Sequence, residues 1–488
     1  MTTTGDNAPT GALDLNKAFR GGAHSVEFLG RINRASLVML AETAILPPAT
    51  ARRIAAGMQQ VFEAGGATPP WSADYLDYEP HLLAVAGQEG SLLHSGRSRQ
   101  DMSATITRMN VRQGLLEQLQ ALLGARERLL AQAKRYKAAI VPAYTHGVQA
   151  QPTTFGHYLL AFGGTLGRST GRLRAAYRGI NRCPLGSAAL ATSSFPVDRQ
   201  RLAVLLGFDG LIENAYDANH FAPVDGSLEA AAALAIAAVQ IGQFAQDLHA
   251  QYADPTPWIT LQQGALMGVS SIMPQKRNPA ALEQLRVQSS MLLGEMQAVP
   301  LTAHNIGSGM FDYRTYDPVP AGRALTVFGL LDKVLGGLVL DEARALDEVR
   351  NEYSTTTEIA DALLQRCGVP FRTGHHFASV LTDYGRARRL RLADISYAEV
   401  AQLYQSTNGE PLPLDEAAFA EAVSPEYMVS GRRGTGGPQP AEMDRMLARD
   451  HDDLAADRAW LAGEQARLAQ AARQLDGVFV SLAGSAAA

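Results

Sequence analysis

Two serine hydroxyls, a lysine and an asparagine stand close together in the stretch Gly268-Val-Ser270-Ser271-Ile-Met-Pro274-Gln-Lys276-Arg-Asn278-Pro279. Such a loop can hold a nucleophile or base next to groups that bind an anion. The same turn formers also suit an ordinary surface connection. Lysine is scarce in this chain, however, occurring only at Lys17, Lys134, Lys137, Lys276 and Lys333. Arginine is preferred elsewhere, which sets Lys276 apart from generic solvation.

Two further polar islands interrupt apolar sequence. His94-Ser95-Gly96-Arg97-Ser98-Arg99-Gln100-Asp101 leads into a long helical pattern for which Asp101 is the expected N-cap. Serine and arginine ahead of a helix N-terminus suit a carboxylate, because free amides, the dipole and a bidentate guanidinium all favour an anion. An ordinary cap with solvated arginines reads the same. Tyr144-Thr145-His146, read as the edge of a helix, is followed by Gln149-Ala-Gln151-Pro152-Thr153. A histidine beside a threonine can orient a carboxylate or move a proton near neutral pH, and a structural histidine fits there too. Glu283 follows Lys276 by two helical turns if a helix starts near Pro279, where it can hold a histidine in one tautomer or lie on the surface.

The elements that carry these islands are helical. Apolar residues recur at three- and four-residue steps, as in Leu115, Leu116, Leu119, Leu122 and Leu123 and again from Leu228 to Phe244, while alternating strand patterns are nearly absent. The fold class is all-α, with three expected units: an N-terminal helical domain over 1–102, a long-helix bundle over 103–353, and a C-terminal helical domain over 354–488. Alanine-rich runs such as Ala230 to Ala233 let bundle helices approach closely. Long apolar helices need partners on several sides, so self-association is expected. The glycine-rich Gly431-Arg-Arg-Gly-Thr-Gly-Gly-Pro438 lacks the order of a phosphate loop and reads as a turn.

Composition removes several classes. With 488 residues and 46% hydrophobic content the chain can bury a large core, and its formal charge of -5 without long single-sign runs offers no basic footprint for nucleic acid. The opening, Met1 to Leu13, shows neither a basic start nor an apolar stretch, and Ala230 to Val239 is short for a membrane span. A soluble, cytoplasmic protein is the expectation. Cys183 and Cys367 are far apart, and adjacent His375 and His376 point to different sides of a helix, so no metal is expected.

Taken in order, the three islands resemble the fumarase/aspartase superfamily, and most closely argininosuccinate lyases. The Ser270 loop is similar to GSSxMPxKxNP, the first island to HTGRSRND and the second to THLQxAQP. Pro184-Leu185-Gly186-Ser187-Ala188-Ala189-Leu190 is similar to PLGSGAL, and Gly368-Val369-Pro370-Phe371-Arg372 to GVPFR. The resemblance implies a homotetramer with active sites shared between subunits, and anti elimination of fumarate from a succinyl group. It implies Ser270 as the base, with Ser271 beside it, and Lys276 and Asn278 stabilising the charge that develops on a carboxylate. Ser98, Arg99, Gln100 and Thr145 would bind the substrate, and His146 paired with Glu283 would assist at the leaving group. His81 matches the histidine of a DxH element, with Glu79 in the acidic place. No cofactor is required.

Several positions depart from the pattern: Val269 for glycine, Gln100 for the asparagine of SRND, Ala280 for the aspartate of NPD, and Gly147-Val148 for Leu-Gln. After Pro300-Leu301-Thr302 the family continues YNRDLQEDK, whose Tyr, Gln and Lys hold arginine; here stand Ala303-His304-Asn305-Ile306-Gly307-Ser308-Gly309. The expected reaction is therefore fumarate release from an N-substituted aspartate whose amine is not arginine. The alternatives are a genuine argininosuccinate lyase and a non-catalytic, crystallin-like homologue.

Overall fold

The computed structural model describes residues 24–66, 68–310 and 321–484; Met1 to Leu13 and Lys17 lie outside them. The chain begins with α1 (Ser25–Glu42), α2 (Pro48–Gly65) and α3 (Tyr75–Ala86). Pro48 opens α2, where its fixed φ suits a helix start and its missing N–H is one that has no helical partner anyway. Then come α4 (Arg99–Arg135), β1 (Ile140–Thr145), β2 (Val148–Thr154) and α5 (Phe155–Ile180). After α6 (Arg199–Leu205) and α7 (Ala215–His220) runs α8 (Ala222–Gln251). The short β3 (Ile259–Leu261), β4 (Gly268–Val269) and β5 (Arg277–Asn278) precede α9 (Ala280–Ala303) and α10 (Ala321–Gly336). β6 (Leu338–Leu340) leads to α11 (Glu342–Asn351), α12 (Thr356–Cys367) and α13 (Phe371–Arg388). The last elements are α14 (Tyr397–Asn408), α15 (Glu416–Val423), α16 (Pro425–Ser430) and α17 (Pro440–Gly484).

One core joins α4, α5, α8, α9 and α10. In α8 the small residues Ala230, Ala231, Ala233, Ala237 and Ala238 are buried, so its backbone approaches α5 and α9 closely. As one continuous helix, α8 is long and apolar enough to cross a bilayer, longer than its apolar run suggests, yet 56% of that apolar window is buried within the protein. A second core gathers α1 to α3 with Cys183, Leu185 and Leu202, and a third runs from Ile359 to Val423.

The last helix departs from the grouping expected for 354–488. Met443, Leu447, Leu454 and Leu461 of α17 enter the bundle core, and Leu475 and Phe479 enter the N-terminal one. Its apolar residues recur at helical spacing over 45 residues, so it can cover both units in one pass.

The all-α class holds, with three small antiparallel pairs added among the described residues: β1 with β2, β3 with β6, and β4 with β5. Most are two or three residues long, too short to leave an alternating signature. The glycine-rich segment is a turn, as expected, and His157 Nε2 contacts its Gly436 carbonyl at 2.8 Å.

Candidate active site

Ser98, not Asp101, is the N-cap of α4. Ser98 is extended (φ -136°, ψ 159°), and its side chain and Asp101, at the third helical position, form a reciprocal capping box. Asp101 has a wider role. It is fully buried, and its carboxylate accepts from the amides of Ser98 (2.9 Å), Gly186 (2.9 Å) and Ala188 (3.0 Å). One carboxylate thus ties the 184–190 loop to the turn that presents Ser98, Arg99 and Gln100. Arg97 is buried, donating to Asn33 at 2.9 Å and lying over the Tyr75 ring, whereas Arg99 is exposed and ion-paired with Asp74.

Gln100 donates from Nε2 to the Asn219 carbonyl at 3.3 Å, and Asn219 Nδ2 donates in turn to Ser187 Oγ and to the carbonyls of Ala188 and Ala189. Against this end of α7 lies the segment that departs from the family pattern. Tyr216 Oη and Ser308 Oγ are 3.2 Å apart, and Gly309, at φ +87°, sits so close to the His220 ring that a Cβ there would fall 2.8 Å from it. Sequence reasoning missed Asp74, Tyr216, Asn219 and His220, because their partners are remote in the chain.

The second island lies on a hairpin, not on a helix edge. Thr145 pairs with Val148, leaving His146 and Gly147 as a two-residue turn with positive φ at both positions (54° and 76°). That geometry is the type I′ turn matched to strand twist, and glycine at the second position adopts it readily. Thr145 and His146 are exposed at its tip.

The Ser270 loop is closed at its base by β4 and β5, where Gly268 pairs with Asn278 and Val269 with Arg277. Ser270 is half-buried and its Oγ accepts the Met273 amide at 3.1 Å, while Ser271 and Lys276 are exposed. Glu283 lies in the first turn of α9, and Lys276 precedes that helix, so the two do not share a helical face. Lys276, Asn278 and Glu283 line an open groove of about 820 Å³ walled also by Ala253 to Pro255. The opposite side of that wall borders Tyr144 and Gly147 of the hairpin. Among the described residues no hydrogen bond or ion pair joins His146 to Glu283 within the chain. His81 is half-buried on α3, its ring 5.3 Å from that of Trp71.

The candidates therefore fall into two groups. Ser98, Arg99 and Gln100 stand at the start of α4; Thr145 and His146 follow its far end on the hairpin, and Lys276, Asn278 and Glu283, with the Ser270 loop, lie on that side across the shared wall of Ala253 to Pro255. α4 has 37 residues, so about 55 Å separates its ends at the helical rise. Among the described residues no group of His, Cys, Asp and Glu forms a metal set.

The first island also contains two perturbed acids of opposite sense. Burial pushes the Asp101 carboxyl up to about 6, against the three amides and Arg97. Burial, and then Arg97, push His94 down to about 4, with its ring stacked 4.8 Å from that of Tyr75. A folded state that prefers neutral His94 keeps that stability above the ordinary histidine range and loses it as pH falls from about 6.5 towards 4. His94→Gln is expected to lessen this acid sensitivity by on the order of 1 kcal/mol, discounted for the partial exposure of the ring. Melting temperatures of both proteins between these pH values check it; parallel curves would refute it.

Residues 79–294 match the family described as Lyase, and residues 353–430 that described as Argininosuccinate lyase C-terminal. Argininosuccinate lyase of Halobacterium salinarum is 35% identical over 440 residues, covering 88% of each chain. Argininosuccinate lyase 2 of Agrobacterium fabrum is 32% identical over 485 residues, covering 95% of this chain and 93% of that one. The crystal structure of EDDS lyase with formate superposes with a TM-score of 0.86 at 28% identity, covering 99% of this chain and 97% of the other.

Proposed function

The chain belongs to the argininosuccinate lyase family and is a carbon–nitrogen lyase of the fumarase/aspartase superfamily; from that premise we propose that it releases fumarate from an N-substituted aspartate whose amine is not arginine. Ser270 takes a proton from the carbon next to one carboxylate. The electron pair spreads into that carboxylate, where Lys276 and Asn278 stabilise the extra charge. The pair then returns to form the double bond as the C–N bond breaks, and the nitrogen leaves with a proton supplied from His146, which Glu283 orients. Ser98, Arg99, Gln100 and Thr145 hold the substrate carboxylates, with Ser271 and His81 at the margins.

The two groups lie towards opposite ends of the 37-residue α4, so one chain does not hold them together and the complete site draws on neighbouring copies in a homotetramer. Exposed Ile236 and Val239 on α8, and Val287 and Met291 on α9, supply apolar contact for such a bundle.

The substrate assignment is carried by one observation. The segment Ala303–Gly309, which lacks the Tyr, Gln and Lys of the family, lies against Tyr216 and His220 beside the Gln100 island. A polar amine such as arginine needs matching donors and acceptors, and their loss costs far more than a change of size. The second reading, arginine as the amine, is favoured by the names of the curated relatives. Fumarate plus a panel of amines, run in the addition direction with argininosuccinate cleavage alongside, tests both. The expected result is turnover with another amine at least ~100-fold faster than with arginine; arginine as the best amine would overturn the reading.

A further inference from the structure

The hairpin that carries Thr145 and His146 has little of its own to hold it. Among the described residues β1 and β2 pair only with each other, and their register shifts between Pro142 and Tyr144. A lone two-stranded ribbon is marginally stable in water, so its place is set by what packs against it. Much of that packing comes from the C-terminal third of the chain, where α11 lies on β1 and α16 on both strands. Gln149 of β2 adds a bond from Nε2 to Ser354 Oγ at 3.3 Å.

His157, in the first turn of α5, makes a longer link. Its Nδ1 lies 2.9 Å from Thr153 Oγ1, near the end of β2 away from the turn, and its Nε2 lies 2.8 Å from the Gly436 carbonyl oxygen. A carbonyl carries no proton, so Nε2–H donates to it, and in the neutral ring Nδ1 accepts from the Thr153 hydroxyl. The mount of the ring is rigid. His157 N–H donates to Thr154 Oγ1, the N-cap, at 3.1 Å, and a Cβ on Gly156 would fall 2.5 Å from the Ala133 carbonyl oxygen, so α5 starts directly on the end of α4.

The Gly436 carbonyl is fixed in turn. Gly436 N–H donates to Glu442 Oε1 at 2.7 Å, Arg445 grips the same carboxylate through Nε and Nη2, and Gln439 Nε2 ties down the Gly434 carbonyl at 2.7 Å. At φ +82°, Gly436 adopts a conformation that a side chain would strain. The glycine-rich loop therefore presents one carbonyl at a set place, aimed at the anchor of the hairpin.

We propose that His157 is a positioning residue of the lyase reaction, through which the 431–438 loop sets the hairpin and so the aim of Thr145 and His146. The inference rests on the roles given to those two residues above. β2 runs from the His146 turn to Thr153, so slack at the Thr153 end moves the tip. Misplacing a reacting group by about 1 Å costs up to roughly 10²-fold in rate. His157 acts on the rate without taking part in bond making.

Three substitutions in the full-length protein separate the two ring nitrogens. His157→Gln keeps an N–H near the place of Nε2, His157→Asn puts its N–H near that of Nδ1, and His157→Leu has none. Amide exchange of peptides spanning β1 and β2, kcat for fumarate release and the melting temperature are read on each. His157→Leu and His157→Asn are expected to exchange their hairpin amides roughly tenfold faster and to lose about tenfold in kcat, the worth of one hydrogen bond. His157→Gln should stay within about threefold of the parent on both. Glu442→Ala, which frees Gly436 from the opposite side, should loosen the hairpin in the same direction. Parental exchange and kcat in His157→Leu, or His157→Gln as slow as His157→Leu, would overturn the proposal. His146→Ala, assayed alongside, isolates the reading beneath it: parental kcat there overturns the role of His146, and with it the proposal, even where the hairpin loosens as expected.

Discussion

Ser270→Ala is expected to slow fumarate release by roughly 10³-fold, the loss typical of a positioned base, while Ser271→Ala costs less than about tenfold. The two hydroxyls are chain neighbours with different surroundings. Ser270 is half-buried and its Oγ already accepts the Met273 amide at 3.1 Å. A donor aimed at the oxygen favours its anionic form, which is what a serine must gain to remove a proton from carbon. Ser271 is exposed on the same loop. The β4–β5 pairing at the base of the loop is made by backbone, so the substitution leaves the scaffold intact. The measurement is kcat with the best amine substrate for the parent and both variants. Equal rates for parent and Ser270→Ala, or a larger loss in Ser271→Ala, would remove Ser270 from the reaction.

Asp101→Ala is expected to release the 184–190 loop from the start of α4, speeding amide exchange at Gly186 and Ala188 by roughly 10²-fold. The carboxylate is the partner of three amides. Removing it strands buried donors, which costs about 1–3 kcal/mol for each one left unpaired. Fumarate release should fall together with the protection, because the same carboxylate sets the turn that presents Ser98 and Arg99. Asp101→Asn retains one acceptor oxygen and should give an intermediate result. Hydrogen–deuterium exchange of peptides spanning this loop, with kcat on the same samples, provides the check. Parental protection in Asp101→Ala would show that the loop is held by something else.

The order of the three polar islands, the helical class and the divergent segment after Thr302 were all legible in the chain, because each is written in residues near one another. Apolar steps of three and four declare a helix locally, and so does a proline at its start. The Ser98 cap was misread by three positions because serine and aspartate are both good caps, and only the backbone angles of Ser98 distinguish cap from capping-box partner. The hairpin under His146 was hidden because β1 and β2 are short and half-exposed.

Other features depend on residues far apart in sequence, and only the folded chain brings them together. Gln100 meets Asn219 across 119 positions, Asp101 meets Ala188 across 87, and α17 returns past two cores. No local pattern encodes such pairs. The same holds for the division of the candidate residues between two ends of the bundle. The sequence determined which side chains are present and which helices carry them, but a 37-residue helix is a stiff rod. Its length, visible only as continuous hydrogen-bonded structure, sets the two ends of α4 about 55 Å apart at the helical rise.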